Sequence, residues 1–374
     1  APSQIDLNSN SVPDYVEEVA IAAENARNIF INDMAYLPEV PDGDGVYDIY
    51  IEDRSWGQYG VNYSDFCGNC TEVTDASWII IDNEYEEGSF LTSGLNTMRL
   101  TVAHEFFHAI QRAYVSSHGN DGFFWEMTAT WVEDIVVPDG NDYIYWVDQF
   151  FNNPDQDISD TDGYSIALFG HYLSSVIEGE QNLMGSNIIR EIWEHYDTSS
   201  SAFNSIKNVL ENQYNSSFAY AWGDFCSRNN FNGVFDNMNN EIYYYPDQLL
   251  IEDTFNLNEF TINENLQGEF TFNNGESAAM KKFTVNEFAG INFNNFLSYD
   301  FNDELTEDTS YEKFISIRSN NEALNRVIQV SDNNGGPYIL YENDNILLTV
   351  VRNEGNGVTT LEYGIEYDTN PPSP

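Results

Sequence analysis

The chain of 374 residues carries 62 Asp and Glu against 13 Lys and Arg, a formal net charge of −49. That balance excludes binding to nucleic-acid phosphates and to anionic membrane surfaces. Hydrophobic residues at 41% and aromatic residues at 15% supply a real core, which excludes disorder over most of the chain, and no apolar run reaches the length of a membrane span.

In chain order, residues 1–12 read as an extended arm. The start at Ala1-Pro2-Ser3 suits a mature or trimmed product, so a secreted, extracellular protein is expected. Pro13-Asp14 opens a helix in which Val16, Val19, Ala20, Ala23 and Phe30 keep helical spacing, and Pro38 and Pro41 end that region. Asp42-Gly43-Asp44-Gly45-Val46-Tyr47-Asp48 spaces three carboxylates as a Ca²⁺ loop does, without the bidentate Glu of an EF-hand. Either Asp42, Asp44 and Asp48 ring a calcium ion, or the segment is a polar turn feeding a strand at 46–52. Cys67-Gly68-Asn69-Cys70 has too few thiols for a structural zinc site. A local disulfide is expected there, with a redox pair as the alternative, and Cys226 is left as a buried thiol. Ser77–Asp82 is a second, more apolar strand.

Residues 95–115 contain neither Pro nor Gly. Leu95, Val102, Phe106, Ala109, Ile110 and Ala113 form an apolar stripe at helical spacing, which predicts a helix packed on one side and open on the other. A loop at 116–122 leads to a second helix at 123–134, stopped by Pro138-Asp139-Gly140. Further helices are expected at 165–177, 184–196 and 203–213. After Tyr245-Pro246 the chain turns to short alternating runs separated by Gly/Asn turns, the pattern of an all-β sandwich. The expected fold class is therefore α+β, mostly helical after a small N-terminal sheet (1–250), followed by the sandwich (251–374). Pro371–Pro374 reads as the start of a linker.

The chemistry concentrates at His104-Glu105-Phe106-Phe107-His108. Side chains at i and i+4 share a helix face about 6 Å apart, so two imidazole nitrogens converge on one Zn²⁺ at about 2.0–2.1 Å each. Glu105, one step round the helix, reaches a water on the ion rather than the ion itself. Two ligands need a third. Glu126 on the next helix is the leading candidate; Asp121 and His118 are alternatives. Glu133 either replaces Glu126, supports a ligand, or is a solvated helix residue.

His104-Glu105-Phe106-Phe107-His108 followed by Trp125-Glu126 resembles the gluzincins, the zincin clan of thermolysin and aminopeptidase N. Glu126 lies 18 positions beyond His108, a spacing that suits the clan. Trp125-Glu126-Met127-Thr128-Ala129 looks like its W-x-E-G-x-A segment, with Met127 where Gly is common. A metzincin would need Gly and His where this chain has Gln111 and Tyr114. Gly163-Tyr164-Ser165-Ile166-Ala167-Leu168-Phe169 resembles the clan's Y-x-x-G-x-x-x segment, with Ala167 in place of Gly. The resemblance implies that Tyr164 donates to the tetrahedral intermediate, and His171 is a second candidate for a catalytic role. It covers roughly residues 75–200 and implies a zincin-like catalytic domain. The G-x-M-E-N segment by which aminopeptidases grip an amino terminus is missing, which favours an endopeptidase. Strand 77–82 would then be the edge on which an extended peptide pairs. The expectation is a secreted zinc metallopeptidase acting on peptides or proteins, with the C-terminal domain on a surface, a glycan or another chain. The alternatives are an adhesion protein on a peptidase scaffold and a zinc hydrolase of non-peptide amides.

Overall fold

The computed structural model describes residues 3–54, 57–65, 74–196, 200–233, 242–245, 247–251, 255–262, 264–272, 278–285, 295–302, 311–319, 324–341, 343–352 and 359–368. It is a mixed α+β protein with a β-rich C-terminal region. The chain forms two compact units, Ala1–Val147 with Thr161–Tyr214, and Asp148–Asp160 with Asn215–Pro374. The chain thus passes between the units at 147/148, 160/161 and 214/215, where a single boundary at 250/251 was expected.

In the first unit, α1 (Asp14–Asn28) has Asp14 and Glu17 in its first turn and Arg27 in its last, matching the helix dipole. It continues as a wider turn over Ile29–Asp33 and buries Val19, Ala22, Ala26 and Phe30. Three strands follow, β1 (Ile49–Glu52), β2 (Gly60–Ser64) and β3 (Ser77–Asp82), in the order β1-β3-β2. β1 runs parallel and β2 antiparallel to β3. This corrects the expected peptide-pairing edge: β3 is central, and β1 and β2 are the strands with an unpaired side among the described residues. The run Trp78–Ile81 is apolar because neighbours flank it on both sides, and Ile79 and Ile81 join Val19, Met98 and Val102 in one core.

α2 (Gly94–Gln111) crosses between α1, the sheet and α3 (Gly122–Val136). It is therefore buried nearly all round, whereas its expected stripe left one side open. Only its start, at Leu95, is well exposed. A one-turn 3-10 helix follows at Asp142–Tyr145, and α4 (Asp148–Asn152) belongs to the second unit. The helix expected over 165–177 is present but wound in three ways: a 3-10 turn at Tyr164–Ile166, α5 (Ala167–Tyr172) and wide turns over Leu173–Glu178. Ser174 and Ser175 donate back to the carbonyls of Gly170 and His171, contacts that loosen a helix. α6 (Ile188–His195) and α7 (Ala202–Gln213) complete the unit; Ser201 caps α7 by accepting from the Asn204 amide.

Among the described residues the second unit adds α8 (Phe218–Arg228) and nine strands: β4 (Glu259–Ile262), β5 (Leu266–Phe272), β6 (Ala278–Val285), β7 (Asn295–Asn302), β8 (Tyr311–Arg318), β9 (Arg326–Gln329), β10 (Asn334–Leu340), β11 (Asn345–Arg352) and β12 (Thr359–Asp368). They form a four-stranded sheet, β10-β7-β12-β5, and a five-stranded sheet, β4-β6-β11-β8-β9. Phe270, Phe272 and Leu361 from one sheet meet Phe283, Ile315, Ile346 and Leu348 from the other in a single apolar layer. α8 lies on β8 and β11, where Ser316 donates to the Ser227 carbonyl. A methyl group at Gly223 would come within 2.3 Å of the Phe314 ring. That close approach is why α8 belongs with the strands. No helix among the described residues is long and apolar enough to cross a membrane.

Candidate metal centre

α2 presents His104 and His108 one turn apart, with ring centroids 4.8 Å apart and planes at 88°. α3, packed alongside, delivers Glu126. Its Oε2 lies 3.1 Å from His104 Nε2 and 3.6 Å from His108 Nε2. Ligand atoms each about 2.0–2.1 Å from one tetrahedral ion stand roughly 3.3 Å from one another, so these separations fit such an ion with three of its four positions filled. Among the described residues this is the group whose ligand atoms lie within 4.8 Å of one another. The alternative ligands are engaged elsewhere: Asp121 accepts from the Tyr196 hydroxyl, and His118 Nδ1 meets the Gly119 carbonyl.

The other nitrogen of each imidazole is held too. His104 Nδ1 lies 2.7 Å from Glu133 Oε1. Glu133 is only 7% exposed, which overturns the reading of it as a solvated helix residue. His108 Nδ1 lies 2.7 Å from Gln111 Oε1, while Gln111 Nε2 donates to the Trp125 carbonyl and the Thr128 hydroxyl. Because the amide NH₂ is committed to those acceptors, Gln111 offers its oxygen to His108, and the ring carries its proton on Nδ1. Both imidazoles thereby turn an Nε2 lone pair toward the shared point, as metal-bound histidines do. Sequence reasoning missed this role of Gln111; its i+3 spacing from His108 was the available signal.

Burial alone would push the His104 imidazole down, but hydrogen bonds to Glu126 and Glu133 hold it well above its ordinary value. Burial opposes ionisation of Glu126, yet His108 and His104 hold it far below the usual carboxylate range. Glu105 is raised by burial, partly offset by the two imidazoles. Burial lifts Glu133 to about 7 despite its bond to His104.

Glu105 sits under β2. A Cβ built on Gly60 would lie 2.8 Å from Glu105 Cγ and 3.0 Å from its Oε1, so only glycine lets the strand backbone come this close. Asn62 ties the strand to α2, donating to the Glu105 carbonyl and accepting from Arg112. Tyr164 stacks on His104 at 5.6 Å with planes 1° apart, its hydroxyl near enough to Glu126 to feel its charge. Burial and the surrounding carboxylates keep that hydroxyl protonated. The placement depends on Gly163, at φ +86°, where a side chain would meet the Phe123 carbonyl at 2.4 Å and Glu126 Cβ at 2.7 Å. A cavity of about 330 Å³ opens beside the three-ligand point, walled by Tyr59, Leu100, Glu105, Asp142, Trp146 and Tyr164.

Other expected site residues are not brought there. His171 is wholly buried, its ring 5.3 Å from Tyr143 and its Nε2 3.8 Å from Asp134, and it does not line the cavity. Burial pushes it down to about 3. Asp42 and Asp44 accept from the backbone amides of Asp44 and Val46, and Asp48 from the Tyr50 hydroxyl. These carboxylates therefore turn onto their own loop, and the three do not form a ligand cluster. The expected Cys67–Cys70 disulfide lies outside the described residues, while Cys226 is a buried free thiol. Comparison with protein-family models finds no match for this chain, and comparison with curated proteins finds none either.

Proposed function

We propose that the protein is a secreted, zinc-dependent metallopeptidase with a zincin-like catalytic domain, cleaving peptide bonds within extended substrates. The observation that carries this reading is the convergence of His104 Nε2, His108 Nε2 and Glu126 Oε2 beside a buried carboxylate, Glu105. Two neutral imidazoles and one carboxylate suit zinc with one position left open. Bound there, Zn²⁺ supplies Lewis acidity that lowers the pKa of water and polarises a carbonyl.

The chain's own residues supply the rest. Glu105, raised by burial, takes the proton from the attacking water and passes it to the leaving amine. Tyr164 offers a protonated hydroxyl on the same side, suited to the negative charge that develops on the carbonyl oxygen. Glu133 and Gln111 fix the two rings. β2, at the edge of its sheet and against Glu105, offers backbone groups to an extended peptide. That feature supports an endopeptidase.

The test is turnover of a mixed peptide library by the purified chain, with chelator and with zinc restored. The expected result is cleavage that stops on chelation and returns with zinc. A folded, zinc-loaded chain that cleaves no peptide overturns the reading, and hydrolysis confined to non-peptide amides replaces it with another hydrolase.

A further inference from the structure

One charged group at the cavity takes no part in the chemistry above. Asp142 lines the cavity and is only 7% exposed. Burial raises its carboxyl and the Thr92 hydroxyl lowers it, while no donor stands in hydrogen-bond geometry at its Oδ1 among the described residues. A buried carboxylate oxygen without a donor is costly, and such groups are rare unless something else completes them. The two other carboxylates on the wall have work to do: Glu133 holds His104, and Glu105 stands at the three-ligand point.

The surroundings fix Asp142 in place. Pro138-Asp139-Gly140 ends α3 and turns the chain back over α2. Gly140 lies so close to Leu100 that a Cβ would come within 2.7 Å of its side chain. Asn141 then takes a left-handed conformation, φ 52°, and Asp142 opens the 3-10 helix. The same short helix leads into Trp146, whose ring lies 5.4 Å from Tyr164. The cavity thus has an apolar and aromatic wall (Leu100, Tyr59, Trp146, Tyr164) and a carboxylate set into it.

We propose that this cavity is the pocket for a substrate side chain, that Asp142 determines its specificity, and that it selects lysine or arginine beside the scissile bond. The inference rests on the peptidase reading and names its substrate class. A long cationic side chain suits such a wall: its methylenes cover Leu100 and the aromatic rings, and its head meets the carboxylate set among them. Trp and Tyr faces add cation–π attraction. A volume of about 330 Å³ holds such a side chain without the rest of the peptide. An anionic side chain would face Asp142, Glu105 and Glu133 together and is rejected. The net charge of −49 works in the same direction at long range by drawing cationic substrates in.

The experiment compares one peptide frame carrying lysine, acetyl-lysine, norleucine or glutamate at each of the two positions flanking the cleaved bond. The readout is kcat/KM, with products identified by mass. At one of the positions lysine should exceed acetyl-lysine and norleucine on the order of 10²-fold, the scale on which a buried partner group discriminates, and glutamate should be cleaved least. Asp142→Asn, or Asp142→Ser should the first fail to fold, should cut the advantage of lysine over norleucine to about threefold or less. Equal cleavage of lysine and norleucine peptides by the parent overturns this inference and leaves the peptidase reading standing. So does a lysine preference that survives in the Asp142 variants. Failure to cleave any of the set overturns both.

Discussion

Replacing Glu133 by alanine removes the acceptor at His104 Nδ1 without touching a metal ligand. The bond is 2.7 Å long, and its acceptor is a carboxylate only 7% exposed. It belongs to the charge-assisted class, worth about 1.5–3 kcal/mol. Without it the Nδ1–H is left buried and unpaired, and the ring is no longer held with Nε2 toward Glu126. At about 1.4 kcal/mol per decade, that loss weakens zinc binding roughly 10- to 100-fold, the range usual for groups that orient a metal-bound histidine. Glutamine keeps an oxygen at the acceptor position, so Glu133→Gln should lose about tenfold or less. The assay is competition for zinc against a chromophoric chelator at neutral pH, with circular dichroism to establish that each variant is folded. A folded Glu133→Ala chain that binds zinc as tightly as the parent would refute the claim that Glu133 orients His104.

Three other outcomes are expected. Glu105→Gln should retain zinc and lose on the order of 10²–10⁴-fold in peptide turnover, the usual share of general acid–base catalysis; a Gln variant turning over at the parent rate removes Glu105 from the mechanism. Gly163→Ala forces a side chain into a left-handed backbone and to within 2.4 Å of the Phe123 carbonyl, costing about 2–5 kcal/mol in urea unfolding. A variant as stable as the parent would mean that residues 163–164 do not press against α3. His171 is buried and held at about 3 when folded, against 6.5 when free, so below the free value the unfolded chain binds the extra proton. Its contribution is complete above pH 6.5 and is lost as the pH falls toward 3. The difference is worth on the order of 3–5 kcal/mol. Urea unfolding of the metal-free chain across that window should show a slope that His171→Gln flattens, and an unchanged slope would contradict the burial of a neutral ring.

The parts of the fold that were legible are those set by local pattern. α2 and α3 announced themselves through long apolar periodicity ended by Pro138-Asp139-Gly140, and the spacing of His104 and His108 followed from the geometry of one helical turn. The alternating runs after residue 253 gave most of the strands of the second unit, because strand alternation is also a local property. What sequence did not disclose depends on neighbours distant in the chain. β2 is short and polar, and its importance comes from pairing with β3 and from Gly60 lying on Glu105. With β2 hidden, β3 was taken for the edge. For Glu133 three roles stayed open in the sequence, and packing of α2 against α3 selects the one that supports His104. Asp142 follows a stop signal and belongs to no motif, and only the fold shows it walling the cavity. His171 erred in the other direction: a histidine on a helix near the motif invited a catalytic role, whereas α5 turns it toward Tyr143 and Asp134. α8 gave no cue that it lies on β8 and β11, so the composition change near 246 did not show that residues 215–250, and 148–160 before them, pack with the strands.

The most direct test of the account is the zinc content of the purified chain after incubation with zinc and gel filtration, measured beside His104→Ala and His108→Ala. The account predicts about one zinc per parent chain and none in either variant. A parent chain that emerges without zinc, or variants that hold as much as the parent, would contradict the claim that His104, His108 and Glu126 share an ion.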